Sequence, residues 1–261
     1  MKWVLRVAAT VVVLFVCQAV FGALFMRGEP AGPPPGFWLF VSDLLIASVF
    51  VGLGARFSVR GNALAFWLFV VMFGIPANYL AETIFFAVGI PLPSIARFYV
   101  VEFGVRLTVA GFVARLFRGD TPREDVRPLA PGPGALALCS IAYVVLYFVA
   151  GLAVLPYVRD FYATKGPLPS GPLVVLIQLG RGLAFAGVVV VITRFFRASR
   201  GGKALAAGIV LSVVGAVAPL VVPNVYMPGY IRFPHLVEAG VSNLLFGLIA
   251  GGLLTRRSAK P

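Results

Sequence analysis

Eight long apolar runs recur along this chain, and nothing else in the sequence restricts its fold as much. They cover residues 3–25, 37–55, 63–82, 98–115, 135–155, 171–193, 204–222 and 234–254. Each is close to the ~20 residues that an α-helix needs to cross a hydrocarbon core about 30 Å thick. Lipid offers no water to backbone N–H and C=O groups, so runs of this length satisfy their hydrogen bonds internally, as helix. A membrane barrel would instead show short segments of alternating polarity, and that pattern is absent. Composition agrees: with 60% hydrophobic and 12% charged residues in 261, there is too little polar surface for a water-exposed globule. The expected fold is an all-α, polytopic integral membrane protein with eight transmembrane helices.

The formal net charge of +13 would suggest nucleic acid in a soluble chain. Its distribution argues for topology. If the N-terminus is cytoplasmic, the inner side holds Lys2, Arg6, Arg56, Arg60, Arg115, Arg118, Arg123, Arg127, Arg194, Arg197, Arg200, Lys203, Arg256, Arg257 and Lys260. The outer side then holds five: Arg27, Arg97, Arg159, Lys165 and Arg232. That asymmetry is the positive-inside pattern, and it predicts both termini in the cytoplasm. The expected setting is the cytoplasmic membrane of a bacterium or archaeon, with lipid as partner and no nucleic acid. The first apolar run is longer than a signal-peptide h-region of about 7–15 residues, which favours an uncleaved first helix. Cys17 and Cys139 fall at different depths, so the expectation is two buried free thiols.

The stretch "RGDTPREDVRPLAPGPG", Arg118 to Gly134, reads as a cytoplasmic linker. Cutting there gives two units, 1–127 and 128–261, each with four spans. Helix 4 aligns without gaps on helix 8, matching Glu102 with Glu238, Gly104 with Gly240 and Gly111 with Gly247. Helices 3 and 7 share a proline followed by Asn and Tyr, "PANY" (Pro76, Asn78, Tyr79) and "PNVY" (Pro223, Asn224, Tyr226), and both are expected to break there. Helices 2 and 6 register with Asp43 opposite Arg181 and Arg56 opposite Arg194. Four spans return the chain to its starting side, so these halves would be parallel repeats about an axis along the membrane normal.

That topology gathers the intramembrane polar residues into one layer, roughly 8–15 Å below the outer helix ends at about 1.5 Å per residue. Its members are Asp43, Asn78, Glu82, Glu102, Arg106, Gln178, Arg181, His235, Glu238 and Asn243, with Asn224 beside them. Ionisable side chains inside a membrane are costly and mark functional sites by default. Glu102 and Arg106 are i,i+4, while His235, Glu238 and Ser242 share one face. An outward-facing polar cavity is expected, whose ligand-binding or proton-coupling residues come from this set. The matching halves and proline-broken helices point first to a transporter or permease for a small solute or ion.

The alternative is an intramembrane enzyme in which His235 works as acid or base, oriented by Glu238 or Glu102. A non-catalytic membrane subunit is the third class. One histidine and the absence of an HExxH motif leave no metal site to assign. The sequence names no cofactor. Residues 83–96 between helices 3 and 4 could re-enter the membrane or lie on its surface.

Overall fold

Eight helices run through the computed structural model, which describes residues 1–29, 36–85, 90–120, 131–165 and 169–255. They are α1 (Lys2–Phe25), α2 (Gly36–Arg56), α3 (Gly61–Phe85), α4 (Leu92–Leu116), α5 (Pro133–Ala163), α6 (Gly171–Phe195), α7 (Arg200–Val221) and α8 (Gly229–Leu254). No strand occurs among the described residues apart from one isolated bridge. Seven of the helices are long and apolar enough to cross a membrane, which makes this a polytopic membrane protein. The eighth, α4, falls short because Arg97, Glu102, Arg106 and Arg115 interrupt its apolar run.

Local chemistry sets the helix starts. Prolines occupy the first turn of α4, α5 and α6, where a missing N–H costs nothing. Ser199 caps α7 by accepting the Gly202 N–H at 3.2 Å. Between α2 and α3 the chain turns sharply, and Gly61 takes φ +59°, a left-handed conformation that a side chain would oppose. Arg60 donates there to the carbonyls of Gly54, Phe57 and Val59, which closes the open C-terminus of α2.

Contacts at the helix tips sort the bundle into two ends. At one end Arg6 sits over the Phe117 ring, Lys203 donates to the Thr193 carbonyl at 2.6 Å, and Arg200 donates to the Gly252 carbonyl at 2.8 Å. At the other, Ser94 and Arg97 of α4 hold Glu29, which follows α1, and Phe98 meets Tyr226. Lys2, Arg6, Arg56, Arg60, Arg115, Arg118, Arg194, Arg197, Arg200 and Lys203 therefore collect at the first end. Arg123, Arg127, Arg256, Arg257, Lys260 and the 127/128 boundary lie outside the described residues.

Neighbour relations repeat along the chain. α1 packs on α2 and α4, and α3 packs on α4; likewise α5 packs on α6 and α8, and α7 packs on α8. Between the two groups α3 meets α6, while the Val213–Val221 portion of α7 meets α2. The C-terminal tips of α2 and α6 join through an antiparallel bridge in which Ser58 N–H donates to Phe195 C=O at 2.9 Å and Arg197 N–H to Arg56 C=O at 3.0 Å. Small residues set the tightest contact, between α7 and α8, where Gly208 and Gly251 leave no room for a Cβ.

The helices depart from the sequence-based expectation in four places. The α3 helix runs through Pro76 without ending, whereas Pro223 lies beyond the end of α7. The two Pro-Asn-Tyr motifs are thus structurally unlike, because a proline inside a membrane helix is accommodated when neighbouring helices support it. The irregularity in α7 lies earlier, at a π-helical turn over Val213–Val217. α5 continues through Pro156 to Ala163, well past the expected end at 155. Thr83–Phe85 extend α3 and Leu92–Ala96 begin α4, so within 83–96 just 86–89 lie outside the description.

Registers also differ by one residue. With Ser42 opposite Arg181, Asp43, Ile46, Ala47, Phe50 and Leu53 match the equally buried Gly182, Phe185, Ala186, Val189 and Ile192. The bridge pairs Phe57 with Phe196 in that same register. For α4 and α8, Arg106, Val109, Ala110, Val113 and Ala114 match Asn243, Phe246, Gly247, Ala250 and Gly251, which sets Glu238 opposite Val101 rather than Glu102. One residue is about 100° of helix rotation, so this burial match and the gap-free match of the two glutamates present different faces of α8.

Candidate functional site

The intramembrane polar residues form two hydrogen-bonded groups. The first lies among α1, α2 and α4. Asp43, on the buried face of α2, accepts from Gln18 Nε2 of α1 at 3.0 Å through Oδ1. Arg106 of α4 is buried too, and its Nε donates to Glu102 Oε2 at 2.8 Å, one helical turn away. Arg106 lies within electrostatic reach of Asp43 but makes no ion pair with it. Glu102 is partly accessible, with 30% of its side chain exposed.

The second group joins α3, α5, α6 and α8. Arg181 of α6 pairs with Glu82 of α3 at 2.5 Å and donates to Gln178 Oε1 at 2.9 Å, while Gln178 Nε2 donates back to Glu82 at 3.2 Å. This closed triangle locks the guanidinium in place. Its carbon stands 5.0 Å from the centre of the Tyr79 ring and 5.6 Å from that of Tyr143, where the π faces stabilise a cation. Asn78 Nδ2 donates to the Arg181 carbonyl at 3.2 Å, and Asn243 Nδ2 donates to Tyr79 Oη at 2.5 Å. Gly215, inside the π turn of α7, backs this arrangement; a Cβ there would stand 2.9 Å from the Tyr79 ring and 3.2 Å from Asn243 Nδ2.

A hydrogen-bonded chain completes the second group. His235 Nδ1 contacts Glu238 Oε2 at 2.6 Å, and His235 Nε2 contacts Tyr162 Oη at 2.9 Å. With the carboxylate taking the Nδ1 proton, Nε2 of the neutral ring is free to accept the Tyr162 O–H. The three side chains thus form one continuous hydrogen-bonded series. All are half-buried, with 21% of the His235 side chain and 15% of the Glu238 side chain exposed. Both Glu82 and Glu238 act electrostatically on Tyr147 and Tyr162, so the two carboxylates flank the same region from α3 and α8.

Several expected relations fail. Arg181 pairs with Glu82 and not with Asp43, which accepts from Gln18 of α1. Glu102 and Glu238 belong to different groups, and no hydrogen bond or ion pair joins those groups among the described residues. Asn224 is occupied locally: its Oδ1 accepts the N–H groups of Tyr226 and Met227 in the turn before α8. Among the described residues no set of three His, Cys, Asp or Glu side chains is placed to hold a metal ion.

Other members escaped the sequence. Gln18, Tyr143, Tyr147 and Tyr162 were not among the expected site residues. Gln18 is a polar residue in an otherwise apolar run, and Tyr143 and Tyr147 share a helix face at i,i+4, so both signals were present. Tyr162 fell outside the expected span because α5 was predicted to end before Pro156. Cys17 and Cys139 are free and buried.

No protein-family model, curated protein or solved structure matches this chain.

Proposed function

We propose that this protein is a permease for a small solute or ion, built from two parallel four-helix repeats with both termini in the cytoplasm. One observation carries the reading: two groups of polar side chains lie inside the bundle, one among α1, α2 and α4 and the other among α3, α5, α6 and α8. Such paired intramembrane groups are costly in lipid and recur at the sites of duplicated transporters. In this reading α4 is the eighth span, since it packs between α1 and α3 and keeps Arg106 inside the bundle. The basic end of the bundle faces the cytoplasm. The Glu82–Arg181–Gln178 triangle is the part that must open to admit a solute, and the Tyr162–His235–Glu238 chain moves a proton beside it.

The test is reconstitution into proteoliposomes on a solid-supported membrane, with currents recorded on jumps of choline, lysine, glycine, glutamate, inorganic phosphate and sodium. The expected result is a saturable current for one of these, lost in Glu82→Gln and reduced in His235→Ala. If none gives a saturable, His235-dependent current, the permease reading is refuted.

A second reading is favoured by the same histidine chain. A tyrosine hydroxyl, an imidazole and a carboxylate in series also form the acid–base unit of an intramembrane enzyme. Under that reading His235→Ala abolishes turnover of a lipid-soluble substrate while no solute current exists.

A further inference from the structure

The first polar group carries a charge that its own side chains do not balance. Asp43 is just 1% exposed, and among its two oxygens Oδ1 alone has a partner. Oδ2 is buried without one, as are Gln18 Oε1 and Arg106 Nη1 beside it. Arg106 is the charged group that acts on Asp43, and it is already paired with Glu102 at 2.8 Å. Two carboxylates therefore share one guanidinium, which leaves one negative charge in excess.

Other helices do not supply the balance. The part of α7 that touches α2, Val213–Val221, has no titratable residue, and Glu82 of α3 is held by Arg181. In the second group the carboxylates have direct partners, Glu82 in Arg181 and Glu238 in His235. An unbalanced carboxylate within hydrocarbon is expensive, and the usual outcome is neutralisation by a proton or bound cation.

We propose that Asp43 is the binding site for one monovalent cation, either a proton on Oδ2 or a sodium ion held between Oδ2 and Gln18 Oε1. Both atoms are hard oxygen acceptors, suited to either ion. Uptake converts the group from a net charge of −1 to neutral: two carboxylates, one guanidinium and one bound cation. On the permease reading this is the coupling cation, taken up past the partly exposed Glu102, and the loaded and empty states differ in the balance of charge that Arg106 experiences.

The experiment measures binding and not transport, so it stands apart from the permease test. The purified full chain in detergent is titrated with ²²Na⁺ and, separately, followed by infrared difference spectroscopy through a pH range, in wild type and Asp43→Asn. For sodium, the expected result is saturable binding of one ion per chain, lost in Asp43→Asn. For a proton, it is a protonated-carboxyl C=O stretch that Asp43→Asn removes, with no specific sodium binding. Burial of Cys17 and Cys139 against a thiol dye checks that the variant folds; should it not, Gln18→Leu is used, with at least tenfold weaker sodium binding or a shifted carboxyl stretch expected. Neither signal depending on Asp43 or Gln18 overturns the proposal. A bound cation without any solute current would keep this site and refute the permease, and a current with no cation at Asp43 would do the reverse.

Discussion

Replacing Glu82 by leucine should be strongly destabilising, and replacing Arg181 by methionine in the same molecule should restore most of the loss. In the wild type the guanidinium is buried at 5% exposure, with Glu82 at 2.5 Å as its one carboxylate partner and Gln178 at 2.9 Å. Its Nε and Nη2 have no hydrogen-bond acceptor and depend on the rings of Tyr79 and Tyr143. Removing one partner of a buried pair costs about 3–5 kcal/mol, because the other charge is left uncompensated. Glu82 retains 21% of its side-chain exposure, so solvent screening places the single variant at the lower end, about 3 kcal/mol. For a chain of this size that corresponds to a fall in Tm of roughly 6–12 °C. In Glu82→Leu/Arg181→Met two apolar side chains replace the pair, an exchange that is commonly neutral or stabilising. The double variant should therefore melt above either single variant.

The protein contains its own reporter for this cycle. Cys17 and Cys139 are free and buried in the core, so a thiol-reactive fluorogenic dye gains signal when the bundle opens. The melt is recorded for wild type, both single variants and the double variant in one detergent. If Glu82→Leu melts with the wild type, or if the double variant is no more stable than Glu82→Leu, Arg181 does not depend on Glu82 and the second polar group is misassigned.

Gly251→Val and Gly252→Val form a matched pair on α8. A Cβ at 251 would stand 2.5 Å from Ala204 Cα of α7, against about 3.5–4.0 Å for an ordinary carbon contact, so the helices must part by about 1 Å. At 252 nothing lies within 4 Å. The same dye assay should show a clear loss of Tm for the first substitution and little change for the second; equal effects would refute the tight α7–α8 contact. Tyr162→Phe removes the hydroxyl from His235 Nε2 and leaves the ring. The pH at half-maximal current should depart from wild type in that variant and stay unchanged in Tyr230→Phe, which alters an exposed tyrosine on the first turn of α8. Coincident profiles for all three proteins would exclude His235 from the proton path.

The polytopic character and the approximate positions of the helices were legible in the apolar runs, since a lipid-crossing helix must satisfy its backbone within one continuous segment. Helix ends were less so. The apolar run ended at 155, yet α5 continues through Pro156 to Ala163, packed against α6 and α8. Charged residues inside spans were also legible as interior, and Asp43, Arg106 and Arg181 are buried. Their partners were not. Helical periodicity tells which residues of one helix share a face but carries no information on how two helices are rotated about each other. The charge beside Asp43 is Arg106 of α4, and no feature of the α2 sequence names that neighbour.

Taken alone, the sequence therefore determined that this chain lives in lipid as a set of apolar helices, with its basic residues toward one end and a few costly polar groups inside. Those properties follow from summed hydrophobicity and charge along the chain, which need no knowledge of neighbours. Tertiary structure alone decided that the polar residues divide into two groups and that Glu82 completes the second from α3. It also brought Tyr162 to His235 across 73 residues of chain. The physical reason is that a hydrogen bond or ion pair forms within about 3 Å, and at that scale helix rotation and neighbour choice govern which side chains meet.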